Sequence, residues 1–116
     1  ELCVDPPLGG ASCASPPATP ANTATFFQYP VATGSGALLA NIIAWYNAPD
    51  SLGTAPSGWS QWLRTDALKA FLIFSDTSSS STLTGAEFDS QLLALQPAAF
   101  GTAASRNYVF HSIFHF

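Results

Sequence analysis

Charge is what this 116-residue sequence has least of. Asp, Glu, Lys and Arg make up 9% of it, and only Arg64, Lys69 and Arg106 stand against seven acids, for a net charge of -4. A nucleic-acid surface must neutralise several phosphates at once, which three scattered cations cannot do, so nucleic acid is excluded as a partner. No apolar run approaches the roughly 18 residues of a membrane-spanning helix. There is no methionine and no leader-like pattern at the start, so Glu1 is expected to be a processed or truncated end. The sequence also has no G-x-S-x-G element and no acid placed to orient His111 or His115. It therefore lacks the paired nucleophile and base of a hydrolase, and no enzyme is expected.

What fills the chain instead is apolar and hydroxyl-bearing. Hydrophobic residues make up 47%, with Ser, Thr, Ala, Gly and Pro supplying most of the rest. That length supports one domain with a modest core under a neutral surface. Cys3 and Cys13 are the only cysteines, and the Pro-Gly-rich stretch between them turns the chain back on itself. Either they close a disulfide, worth roughly 2–3 kcal/mol in the chain-entropy picture, or they stand as two unpaired thiols. A zinc site is excluded, because two cysteines without a neighbouring His or Cys cannot complete a tetrahedron. A bridge would place the chain in an oxidising, extracytoplasmic compartment.

Periodicity divides the sequence into a Pro/Gly-rich segment over 1–25 and an α/β domain over 26–116. Prolines at 6, 7, 16, 17 and 20 block regular structure early, apart from a short strand expected at Leu2–Val4. Leu38, Ile42 and Trp45 recur at helical spacing alongside Leu39, Ile43 and Tyr46, which predicts a buried or amphipathic helix over 37–46 with Ser35 or Thr33 as N-cap. The loop over 47–57 leads to a short helix carrying Trp59 and Trp62, expected to pack on the sheet. Thr84-Gly85-Ala86-Glu87 reads as a capping box opening a helix with Phe88, Leu92 and Leu95 on one face, so Glu87 is structural. The end of the chain is an aromatic and β-branched strand with Val109, His111, Ile113 and His115 on one face. Its two histidines would lie about 13 Å apart, too far to grip one metal ion.

Between these lies Phe71-Leu72-Ile73-Phe74-Ser75-Asp76, followed by Thr77 and four serines. An apolar run without polar alternation predicts a strand buried on both faces, as in the middle of a parallel sheet flanked by helices. Ligands of such sheets bind outside the carboxyl ends of the strands, where Asp76, Ser78 and Ser80 form D-x-S-x-S. One carboxylate and two hydroxyls supply part of the oxygen shell of a hard cation such as Mg²⁺.

The strand ending in Asp76 with hydroxyls after it, together with Thr33-Gly34-Ser35-Gly36-Ala37-Leu38-Leu39, resembles the von Willebrand factor A family. The first is similar to a metal-ion-dependent adhesion site and the second to the T-x-T-G-x-A-L element in which a Thr joins the metal site. The resemblance covers about two-thirds of the chain and implies a mostly parallel open sheet of this fold, acting in adhesion at a cell surface or in a secreted protein. In the family, D-x-S-x-S follows the first strand and precedes the Thr element, whereas here it follows it. The resemblance thus implies that the first strand lies upstream of Glu1 and that Asp76 corresponds to the family's later metal-site Asp. Thr33 and Asp76 would then flank a degenerate site holding Mg²⁺ weakly or not at all, with Ser78 and Ser80 as loop residues. A sheet lacking a central strand leaves edges that recruit other chains, so the alternative is a structural subunit that self-assembles into an extracellular filament by strand completion.

Overall fold

The structure, a computed structural model, describes residues 4–6, 13, 21–75 and 82–114. Its elements in chain order are α1 (Leu38–Ala44), β1 (Lys69–Ser75), α2 (Gly85–Leu95), α3 (Pro97–Phe100), β2 (Gly101–Thr102), β3 (Ser105–Arg106) and β4 (Tyr108–Phe114). Single 3₁₀ turns lie at Ser35–Ala37 and Trp59–Trp62. The chain divides into two compact units, one from Glu1–Ala32 and Trp45–Trp62, the other from Thr33–Ala44 and Leu63–Phe116.

The second unit is a small α/β structure built on one parallel strand pair. β1 and β4 run side by side from Lys69 opposite Tyr108 to Ser75 opposite Phe114. Parallel strands need a crossover, and α2 and α3 supply it. The N-terminus of α2 is closed as the sequence predicts: Thr84 Oγ1 accepts from the Glu87 amide at 3.3 Å and Glu87 Oε2 accepts from the Thr84 amide at 2.8 Å. The Thr84 hydroxyl also donates to Glu87 Oε2 at 2.6 Å, and this bond first, with the one from the Thr84 amide, holds the Glu87 carboxyl below its ordinary value. Phe88 and Leu92 of α2 and Ala99 and Phe100 of α3 are buried, and Phe71 is the hub they surround. Its ring lies 6.3 Å from that of Phe88, 6.4 Å from Phe100 and 5.9 Å from Phe110. Burying this aromatic cluster is the main stabilising term of the unit, at about 1.5–3 kcal/mol per large side chain.

Two expectations are corrected here. β1 is not covered on both faces: Phe71 and Ile73 point inward, while Leu72 is 55% and Phe74 68% exposed. The pleat alternates even though the residue types do not, and helices cover only one side. The helix predicted over 37–46 is a 3₁₀ turn followed by α1 alone, with no fully buried residue. At its start Gly34 occupies the N-cap position without a side-chain bond, in place of Ser35 or Thr33.

The return from α3 to β4 passes through a tight hairpin of β2 and β3. Gly101 has φ +86, and a Cβ there would lie 2.2 Å from the Ser105 carbonyl, so only glycine fits.

The first unit is held by aromatic pairs and one acid. Trp62 stacks on Phe27 at 5.1 Å and Trp59 meets Tyr46 edge-on at 5.0 Å, so the ring partners of these tryptophans come from their own unit. Asp50 is only 7% exposed. Its Oδ1 accepts from the Ala55 amide at 2.5 Å and its Oδ2 from the Leu52 amide and Thr54 hydroxyl, both at 3.0 Å. Burial pushes this carboxyl up, but the donors outweigh it and its pKa is lowered. The loop over 47–57 is thus wrapped around its own carboxylate. Val4 lies outside any strand, and Leu2 lies outside the described residues.

Candidate functional site

Among the described residues nothing covers the outward face of the β1–β4 pair, which is apolar. The register sets Ala70 beside Val109, Leu72 beside His111 and Phe74 beside Ile113. Val109 is 38% and Ile113 54% exposed, and His111 lies open in the centre of the face. Leu68, just before β1, is exposed as well. Parallel sheets are almost always covered on both sides, so an uncovered apolar face on one is the anomaly that needs an explanation. Among the described residues the sheet has two strands only, so each also presents one edge with no strand beside it.

The opposite end of the same strands is closed by a polar knot. Lys69 is buried and its Nζ donates to the carbonyls of Ala99 at 2.6 Å and Thr65 at 3.1 Å. Asn107 Nδ2 reaches the carbonyls of Ala67 and Ala99, both at 3.1 Å. An ammonium set against the last carbonyls of a helix is favourably placed, so this knot fixes register rather than offering a site. A second tie joins α2 to the hairpin: Arg106 Nε and Nη2 donate to Asp89 at 2.6 and 2.7 Å, and the Tyr108 hydroxyl also donates to it. The Arg106 guanidinium, with Tyr108, holds the Asp89 carboxyl down at about 2.

Of the residues expected to flank a cation, only Thr33 is described; Asp76, Ser78 and Ser80 lie outside the described residues, as do Cys3 and His115. Thr33 is exposed, its hydroxyl accepting from Asn41 Nδ2 at 2.7 Å and lying 3.2 Å from the Gly34 carbonyl. Its turn is pinned to the residue that follows the run of four serines in sequence, because the Thr82 amide donates to the Gly36 carbonyl at 3.2 Å. Among the described residues no three His, Cys, Asp or Glu side chains converge as metal ligands. One exposed hydroxyl already hydrogen-bonded is too little to fit Mg²⁺, so no cation chemistry is derived from it. Cys13 is not a free thiol.

The exposed side of β1 is not legible in the sequence, because Phe71, Leu72, Ile73 and Phe74 are all apolar. The roles of Lys69 and Asn107 were not expected either; their signal is a polar residue at the start of each strand, Lys69 opening β1 and Asn107 just before β4. Among the described residues no helix is long and apolar enough to cross a membrane. No protein family matches this chain, and no curated protein or solved structure does either.

Proposed function

We propose that this chain is a non-catalytic protein-interaction module of an extracellular protein, and that the bare β1–β4 face is its recognition surface. One observation carries the reading: four large apolar side chains, Leu72, Phe74, Val109 and Ile113, stand exposed together on a parallel sheet. Leaving such a surface in water costs free energy that covering it by a partner recovers. The finer reading is a von Willebrand factor A-like open sheet of which β1 and β4 are two strands. It is supported by the Thr33–Gly36 turn lying against Thr82, which follows the end of β1 by seven residues. The unpaired edges favour a second reading, a filament subunit whose sheet is completed by strands of its neighbours.

The recognition surface is tested with 8-anilinonaphthalene-1-sulfonate at protein concentrations low enough to keep the chain monomeric. Saturable binding to the native chain is expected, with loss of it in the Leu72→Ser, Phe74→Ser double variant at unchanged far-UV circular dichroism. A native chain that binds no dye would mean the face is covered, and the reading would fall.

A further inference from the structure

We infer that the occupant of the bare face is a second copy of this chain, packed sheet to sheet across a two-fold axis with its β1 strand running antiparallel to the first. The inference rests on the face being a recognition surface. It goes further by naming what the surface recognises.

Shape is the first argument. Along β1 the exposed residues grow from Ala70 through Leu72 to Phe74, so the face is a wedge, low where the strand begins and high where it ends. A wedge is complementary to its own inverted copy. A two-fold axis lying between the two faces and crossing β1 at right angles sets Phe74 of one copy over Ala70 of the other, and the reverse, with Leu72 near the axis. Such isologous contacts are the usual way in which identical chains pair, and they close on themselves.

Charge is the second argument. Each copy carries a net charge of -4, so self-association brings like charges together unless they lie away from the contact. On the described part of the face they do, since positions 70, 72, 74, 109, 111 and 113 carry no acid. Glu87 and Asp89 belong to α2, which covers the other side of the sheet through Phe88, and the Asp89 charge is met by Arg106. The only titratable group on the described part of the face is His111. A charged partner would find no acid, lysine or arginine to pair with on the described part of the face, whereas an identical face brings no acid against another there.

Area sets the strength. The patch exposes a few hundred Å², within the range of interaction patches on monomers but short of the roughly 800 Å² per partner in a standard interface. The dimer is therefore expected to be weak and concentration-dependent, forming in the micromolar range or above.

Sedimentation of the native chain from low-micromolar to near-millimolar concentration should show reversible doubling of mass. Phe74→Glu and Ala70→Lys should each weaken the dimer by about tenfold or more, and an equimolar mixture of the two should recover it, since position 74 of one copy lies over position 70 of the other and the opposite charges then meet. Ala70→Phe separates this packing from general stickiness. It adds apolar area, which would strengthen non-specific association, but it fills the low end of the wedge and so should weaken this dimer. Circular dichroism confirms folding of each variant, all of which alter exposed positions. A native chain that stays monomeric while binding the dye overturns the second copy and leaves the recognition surface standing; a chain that binds no dye overturns both. Open-ended growth in mass, a mixture that fails to pair, or an Ala70→Phe variant that associates as well as or better than the native chain also overturns the inference.

Discussion

Lys69 and Asn107 converge on one carbonyl, that of Ala99, and this makes their contributions inseparable. Removing the Lys69 ammonium leaves the Thr65 carbonyl with only the long 3.5 Å contact to Asn107, while Ala99 keeps its Asn107 donor. Lys69→Met retains the packing of the stem and should cost about 1–2 kcal/mol, the scale of losing a buried hydrogen bond to a charged group. Asn107→Leu should cost about 1–3 kcal/mol, because it strands the Ala67 carbonyl as well. With both changes the Ala99 carbonyl loses both of these donors, so the double variant should be destabilised beyond the sum, by a coupling on the order of 0.5–3 kcal/mol. Urea titrations of the four proteins measure this directly. Simple additivity would show that the two side chains act on separate parts of the fold.

At the scale of elements, α2 is fixed at two points by different means. Its start is capped by Thr84 and Glu87, and Thr84→Ala should lower stability by about 1 kcal/mol in the same titration. Asp89, further along the helix, reaches across to Arg106 of β3 and Tyr108 of β4. The Asp89 carboxyl sits at about 2 in the folded chain, below its unfolded value of about 3.9. A depressed folded value means that the folded state favours the ionised form. The contribution is fully present above pH about 4 and is lost as the pH falls from there toward 2. The stability gap between the native chain and Asp89→Asn should therefore be widest near neutrality and should close across that window. A gap that stays constant to pH 2 would show that the carboxylate charge contributes nothing to this tie.

These elements also show what the sequence could and could not reveal. The cap of α2 was legible because four consecutive residues contain all of its chemistry. The strand over 69–75 was legible as a strand, but its exposed side was not. Phe71, Leu72, Ile73 and Phe74 are equally apolar, so hydrophobicity carries no alternation, and which face is covered depends on where α2 and α3 pack. α1 came out shorter than its periodicity implies because Trp45 and Tyr46 continue the apolar spacing while belonging to the other unit, where Tyr29 and Trp59 meet their rings.

For the molecule as a whole, a net charge of -4 opposes association only where acids approach one another, so contact through the uncharged described face must be limited by geometry. A closed pair across the wedge limits it, whereas strand completion along the open edges does not. A metal-dependent adhesion module makes a different demand, since a cation that binds only the folded chain must stabilise it by mass action. Of that constellation the sequence offered four oxygen-bearing residues. Thr33 stands on a turn bonded to Thr82, but its hydroxyl is already taken up by Asn41, a contact that no spacing rule discloses. If Asp76 completes a site with Thr33, then millimolar Mg²⁺ should raise the melting temperature, chelator should reverse the rise, and Asp76→Ala should abolish it while leaving the metal-free melting temperature unchanged. A melting temperature indifferent to Mg²⁺ in the native chain would remove the metal from the functional reading. It would leave apolar contact on β1 and β4 as the basis of recognition, because that contact involves no ligand of the cation.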